Sequence, residues 1–154
     1  MMFKRVAASV LGALTAVAGL SLATATPAEA ATGRWRAYGN TSPFVASPAH
    51  WACGTTYEFA VDVFAQTCAI RPDTRSRYAQ GAVIVRNNRN GVFGAEAAVS
   101  LSDISGFVDR WICSDSGVAA HTWSVCFGTT LDHPDYVVAR GGVNGFDLGL
   151  SLHV

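Results

Sequence analysis

Lysine is nearly absent from this 154-residue chain, in which Lys4 is the only one. From residue 31 onward, nine arginines stand against ten aspartates and glutamates, so this part of the chain has a net charge close to −1. Proteins that track the phosphates of nucleic acid usually carry a basic patch or stripe. The scarcity of positive charge therefore predicts no nucleic acid partner.

Long helical patterns are also lacking beyond residue 30. Fifteen glycines are scattered through the chain, and they leave little room for a helix of ten or more residues with apolar positions at helical spacing. Instead, apolar and polar residues alternate, as in 121–127 and 146–154, which is typical of half-buried strands. The 124 residues after residue 30 suffice for one core. We predict an all-β domain, an antiparallel β-sandwich with a closed barrel as the alternative.

The first 30 residues have the pattern of a signal peptide. A basic start precedes an apolar run from Val6 to Ala25, and the small residues up to Ala30 fit signal peptidase. We predict removal of residues 1–30, secretion into the extracellular medium, and no membrane association after cleavage. Residues 31–47, rich in Thr, Gly, Ser and Pro, are predicted to be a flexible leader, and residues 48–154 a single β domain.

All four cysteines lie in the predicted exported part. An even number of cysteines in an oxidising compartment favours two disulfides over metal ligation. No pair reads Cys-x-x-Cys, so neither a zinc site nor a redox motif is expected, and we predict no cofactor. The predicted half-cystines are Cys53, Cys68, Cys113 and Cys126.

The chain contains an internal repeat. Trp51-Ala-Cys53 recurs as Trp111-Ile-Cys113, and each copy continues through a second cysteine and a tyrosine to an Asn-Gly pair and an alternating strand. We predict two similar halves, about 51–101 and 111–154, that stack face to face as a sandwich.

The repeat makes two local predictions. If the halves are equivalent, their disulfides are equivalent too, which selects Cys53–Cys68 and Cys113–Cys126 from three possible pairings. Asn-Gly favours the tight turn of an antiparallel hairpin. Each pair, Asn90-Gly91 and Asn144-Gly145, is therefore predicted to close a hairpin.

Tryptophan provides the candidate ligand contact. Trp51 and Trp111 precede half-cystines at matched positions, and Trp123 shares a strand face with Val125, so these three are predicted to be core residues. Trp35 lies in the predicted leader. We expect it to be exposed, and it is the candidate contact for a ligand such as a sugar ring.

Catalytic and metal-binding patterns are weak. The four histidines lie in unrelated contexts, and neither Gly-x-Ser-x-Gly nor His-Glu-x-x-His is present. We predict that the protein is not an enzyme and assign no catalytic or metal-binding residue. The loop Asp132–Asp135, with two carboxylates and an imidazole, is interpreted as an ordinary turn, with a calcium or transition-metal site as the alternative.

Opposite charges occupy matched positions of the repeat. Residues 71–77 are rich in arginine where the second half has the acidic loop 132–135. Two solvated turns would explain this arrangement. Alternatively, the arginine-rich segment meets the acidic loop, within the molecule or between molecules.

Two segments, Gln66 through Asn87 and Cys126-Phe127-Gly128, resemble small secreted proteins of Streptomyces-type actinomycetes. Most of these proteins have no assigned function. The resemblance implies an exported actinobacterial protein and brings no functional residues with it.

We expect a secreted, non-enzymatic binding or structural module that acts at the cell surface or in the medium. Its partner would be an extracellular protein or a cell-wall polysaccharide. A secreted protease inhibitor is the first alternative and would require an exposed loop, for which Ser114–Gly117 is the candidate. A small extracellular hydrolase is the second alternative.

Overall fold

The computed structural model describes residues 30–154, and the predicted signal peptide lies outside this part of the chain except for Ala30. The described residues form twelve strands and one short helix. The elements are β1 (Ala31–Thr32), β2 (Arg34–Gly39), α1 (Pro43–Ala46), β3 (His50–Cys53), β4 (Tyr57–Ala60), β5 (Val63–Arg71), β6 (Tyr78–Asn87), β7 (Phe93–Asp103), β8 (Gly106–Val118), β9 (Thr122–Phe127), β10 (Leu131–Asp132), β11 (Val138–Val143) and β12 (Phe146–Leu150).

The strands form two sheets that pack face to face. Sheet I has the strand order β1-β8-β7-β11-β12. Sheet II has the order β2-β9-β6-β5-β3, with β4 beside β5 and β10 beside β6. Neighbouring strands are antiparallel, except that β1 runs parallel to β8. The predicted β-sandwich is confirmed, and the sheets do not close into a barrel.

The core lies between the two sheets and is built from alternate residues of the strands. Val83 and Val85 of β6 face Val99 and Leu101 of β7, and each of these side chains is at most 1% exposed. Trp111 of β8 is the largest fully buried side chain. Alternation along β6 and β7 explains this core, because successive side chains of a strand point to opposite faces.

The two predicted halves do not form separate layers. Sheet I combines β7 of the first half with β8, β11 and β12 of the second, and sheet II combines β3, β5 and β6 with β9. The expectation that each half forms one layer is therefore wrong. The physical reason is that β7 pairs with β8 across a short turn, and β6 pairs with β9, so each half completes the other half's sheet.

Both predicted disulfide pairings are present, but their positions differ. Cys53 and Cys68 lie opposite each other on the paired strands β3 and β5 of sheet II. Cys113 of β8 is bonded to Cys126 of β9, so this disulfide connects sheet I to sheet II. One disulfide therefore strengthens an existing strand pair, whereas the other links the two layers.

The predicted flexible leader is instead part of both sheets. Residues 31–32 form β1 beside β8, and residues 34–39 form β2 beside β9. The edge of β9 would otherwise leave backbone N–H and C=O groups unpaired, and β2 satisfies them. Gly33 lies where the chain passes from one sheet to the other, and a Cβ there would lie 2.7 Å from Cys113 Sγ.

Only one of the two Asn-Gly pairs closes a hairpin. Asn144 and Gly145 have φ values of 47° and 79° between β11 and β12, as the hairpin prediction requires. Asn90-Gly91 lies between β6 and β7, which belong to different sheets, so the hairpin prediction for this pair is wrong.

The alternation predicted for residues 146–154 changes phase midway. Leu148 is buried, but Leu150 is 57% exposed and Ser151 is buried in its place. Gly149 between them has a φ of 71°, in the left-handed region that favours glycine. This backbone irregularity turns the later leucines toward solvent.

Candidate functional site

The outer face of sheet II carries a second apolar cluster. Its buried members alternate along β5, β6 and β9 with the residues that face sheet I, so they lie on the opposite face of the same strands. The outer face of an antiparallel sheet is usually polar because water covers it. The buried members are Cys68, Ile70, Ala82, Ile84 and Val125.

Aromatic rings partly cover this cluster. Tyr38, Trp51, Trp123 and Phe127 are half-buried and pack against it. Of the three tryptophans predicted to be core residues, Trp111 alone is fully buried between the sheets, whereas Trp51 and Trp123 are half-buried on the outer face of sheet II. Trp123 does share a face with Val125 and Phe127, but this is the outer face.

Helix α1 lies against one end of this row of aromatic rings. Phe44 of α1 contacts Trp51 edge to face, with ring centroids 5.4 Å apart, and Trp51 also lies 6.0 Å from Phe127. The indole Nε1 of Trp51 is buried and has no hydrogen-bond partner among residues 30–154. Trp51 is thus held in place by its neighbours while its polar atom stays unsatisfied.

A groove of about 870 Å³ opens beside these rings, and we call it the aromatic groove. Its walls come mainly from β2, from the residues between α1 and β3, and from β6 and the segment after β9. Within the part of the chain that the structure describes, no aspartate or glutamate lines it. Its aromatic and longer polar lining residues are Arg34, Trp35, Arg36, Tyr38, Trp51, Tyr78, Gln80 and Phe127.

Two arginines place positive charge at the aromatic groove. Arg34 and Arg36 are exposed on β2, and neither forms an ion pair with another described residue. The Arg36 guanidinium lies 4.9 Å from the centre of the Tyr38 ring, a cation–π contact. Uncompensated guanidinium groups beside aromatic rings favour a ligand that has both anionic and apolar surfaces.

Trp35, the predicted ligand contact, lines the aromatic groove but is more constrained than expected. It is half-buried, packs against the core between the sheets, and donates its indole N–H to the Ser114 carbonyl oxygen at 2.8 Å. A ligand would therefore meet the ring of Trp35 and not its N–H group. Its role in binding stays a prediction.

A smaller apolar depression of about 350 Å³ lies farther along the same face of sheet II. Phe64, Ile84 and Trp123 line it, and Arg86 lies 5.2 Å from the Trp123 ring centre. Arg86 is held by the side chain of Asn88 and the carbonyl of His121. The pairing of arginine with an aromatic ring thus occurs twice on this face.

The arginine-rich segment 71–77 and the acidic loop 132–135 meet within the molecule. Arg77 Nε lies 2.5 Å from Asp132 Oδ1, and β10 pairs with the start of β6. Arg71 is 4% exposed and donates hydrogen bonds to the carbonyl oxygens of Ser76, His133 and Asp135. Of the two interpretations of these segments, the structure therefore agrees with the alternative in which they meet, and they do so within the molecule.

The loop 132–135 also approaches the turn between β7 and β8. His133 Nε2 lies 3.0 Å from Asp103 Oδ2, and Asp135 contributes a carboxylate oxygen to the same cluster. Hydrogen bonds from the side chain and backbone of Ser105 lower the pKa of Asp103 below its ordinary value. The sequence indicated His133 and Asp135, but nothing in it pointed to Asp103.

The loop expected for a protease inhibitor has a different structure. Ser114–Gly117 is part of β8, where Ser116 and Gly117 are opposite Ala95 and Gly94 of β7. A protease binds an exposed, extended loop that is free to enter its cleft, and a strand paired in a sheet does not present one. The structure therefore offers no support for this segment as an inhibitory loop.

Comparison with family models, with curated proteins and with solved structures finds no match for this chain. The geometry of the described residues is therefore the basis for a functional proposal. In residues 30–154, no helix is long and apolar enough to cross a membrane.

Proposed function

We propose that the protein is a secreted, non-enzymatic binding module that holds an acidic polysaccharide in the aromatic groove. The observation that carries this proposal is the composition of the groove: aromatic rings and two unpaired arginines, with no acidic side chain among its described lining residues. Clefts with one sign of charge concentrate ligands of the opposite sign.

The two kinds of side chain suit the two surfaces of an acidic sugar. Aromatic rings pack against the apolar faces of pyranose rings, and Tyr78, 48% exposed, offers such a ring at the groove. Guanidinium groups bind carboxylate or phosphate in a planar, bidentate manner. Arg34 and Arg36 are two residues apart on β2, so their side chains extend from the same face of the strand.

The scaffold beneath the groove is cross-linked by a disulfide. The groove rests on the central strands of sheet II, and the disulfide Cys53–Cys68 links two of its strands. A preformed site loses less conformational entropy when it binds. The disulfides and the predicted signal peptide also favour an extracellular location.

The proposal is tested by titrating the oxidised protein with polygalacturonate and with a neutral dextran, followed by intrinsic tryptophan fluorescence. We expect saturable binding of the polyuronate that weakens with salt. The double variant Arg34→Gln/Arg36→Gln should bind at least about tenfold more weakly, since each charged hydrogen bond contributes about 1.5–3 kcal/mol. Arg110→Gln, which removes an exposed arginine of sheet I, is the matched control.

The aromatic contribution has its own pair of variants. Tyr78→Ala removes a ring from the groove, and Tyr136→Ala removes a ring that is 72% exposed and lies outside it. Only the first should weaken binding. Equal affinity for dextran and polygalacturonate would show that the groove does not select acidic polymers. If the protein bound neither polymer and did not bind isolated cell walls, a polysaccharide partner would be refuted.

A further inference from the structure

We propose that Asp103, His133 and Asp135 form a binding site for a divalent transition metal ion, with Zn²⁺ as the ion that fits best. The three side chains come from the end of β7 and from the loop between β10 and β11. Each offers one ligand atom, and these atoms all lie within 4.8 Å of one another. This site is separate from the aromatic groove and does not depend on the function proposed for it.

The distances suit a small ion. In a tetrahedral zinc site with bonds of about 2.0–2.2 Å, the ligand atoms lie about 3.3–3.6 Å apart. His133 Nε2 and Asp103 Oδ2 are already 3.0 Å apart. Asp135 is exposed, so its carboxylate has room to move toward the other two.

One donor atom is buried without a hydrogen bond, and a second accepts none from the described residues. The side chain of Asp103 is only 8% exposed, and its Oδ1 accepts hydrogen bonds from Ser105 and Gly106. Its Oδ2 accepts none from the described residues and faces His133. His133 Nε2 is itself buried and has no well-directed hydrogen-bond partner in residues 30–154. A buried polar atom left in this state normally has a partner such as a water or an ion.

The surroundings of the site hold its ligands in position. The buried Arg71 donates hydrogen bonds to the backbone carbonyls of both His133 and Asp135. The backbone N–H of His133 also donates to the carbonyl of Arg77 at 2.7 Å. Such supporting contacts orient metal ligands before the ion binds.

The donor set selects the class of ion. One neutral imidazole and two carboxylates balance the charge of a divalent cation. Imidazole suits zinc and other transition metals, whereas Ca²⁺ and Mg²⁺ take oxygen ligands. Three protein ligands leave a fourth tetrahedral position for water.

The test is isothermal titration of the oxidised, metal-free protein with ZnCl₂, with CaCl₂ as the comparison. We expect binding of one Zn²⁺ per chain and a raised melting temperature, because an ion that binds only the folded state stabilises it. His133→Gln and Asp135→Asn should each weaken Zn²⁺ binding by at least about tenfold. His50→Gln removes an exposed histidine outside the cluster and should leave the affinity unchanged.

Asp135→Asn keeps the test informative even if other variants are unstable. Asp135 is exposed and its carboxylate makes no hydrogen bond to a described residue, so this variant is expected to fold. Unchanged affinity in both His133→Gln and Asp135→Asn, loss of affinity in His50→Gln, or no saturable binding of Zn²⁺ would overturn the proposal. Any of these results would mean that His133 and Asp103 form an imidazole–carboxylate contact only.

Discussion

The two disulfides close loops of similar length, but only one of them links the two sheets. Removing each in turn therefore separates the effect of loop closure on stability from the effect of packing between the sheets. Their cysteines are separated by 15 and 13 residues, so the chain-entropy model assigns each about 3 kcal/mol of stabilisation. If loop closure were the only contribution, Cys53→Ala/Cys68→Ala and Cys113→Ala/Cys126→Ala would lower the free energy of unfolding equally.

Burial makes the two double variants unequal. Cys113 and Cys126 are both at most 1% exposed, whereas only Cys68 of the other pair is fully buried. Each buried sulfur that is removed leaves a cavity, which costs about 1 kcal/mol. We therefore expect losses of about 4 kcal/mol for Cys53→Ala/Cys68→Ala and about 5 kcal/mol for Cys113→Ala/Cys126→Ala.

The assay is urea denaturation of both double variants beside the unchanged protein, followed by tryptophan fluorescence and circular dichroism. The expected difference of about 1 kcal/mol corresponds to roughly 4 °C in melting temperature for a domain of this size. If Cys113→Ala/Cys126→Ala were already unfolded in buffer while Cys53→Ala/Cys68→Ala still folded, this would also agree with a larger loss for the Cys113–Cys126 disulfide. Equal losses, or a larger loss for Cys53→Ala/Cys68→Ala, would refute the reasoning from burial.

Three further predictions test other parts of the structure. Gly128→Ala should lower the free energy of unfolding by about 1–3 kcal/mol, because its Cβ would press on the buried indole ring of Trp111. Urea denaturation should show no such loss for the control Gly91→Ala, where nothing lies within 4 Å of a Cβ. Arg71→Met should cost about 2–4 kcal/mol in the same assay, because three carbonyl oxygens lose a charged donor. The side-chain hydrogen bond from Arg140 lowers the pKa of Asp147 below its ordinary value. The pair therefore stabilises the fold at neutral pH, and this contribution is lost as the pH falls through the pKa that Asp147 has in the folded state. Titration of the Asp147 carboxyl by NMR should show a higher midpoint in Arg140→Gln, and an unchanged midpoint would contradict the assignment.

The fold class followed from local patterns. Alternation with a period of two identified strands such as β9, because successive side chains point to opposite faces. The repeated Trp-x-Cys motif also led to the correct disulfide pairing. These features depend on residues close together in the chain, where a local pattern is informative.

The composition of the candidate site was harder to predict. Alternation placed Trp123, Val125 and Phe127 on one face of a strand, but it does not say whether that face meets the other sheet or solvent. Trp51 was assigned to the core because it precedes a half-cystine at a position matched by Trp111, and this spacing does not say which face of the sheet the ring occupies. An apolar face is compatible with either position, and only the packing of the second layer distinguishes them.

The sequence by itself determined that this is a β protein with two disulfides of defined pairing and a small excess of negative charge beyond residue 30. The tertiary structure decided which strands share a sheet, that residues 31–39 complete the edges, and that Asp103 lies beside His133. Backbone pairing at a sheet edge uses the same N–H and C=O groups in almost every residue, so it leaves little trace in the side-chain pattern. Contacts between residues 30 positions apart depend on the path of the whole chain, and no local spacing encodes them.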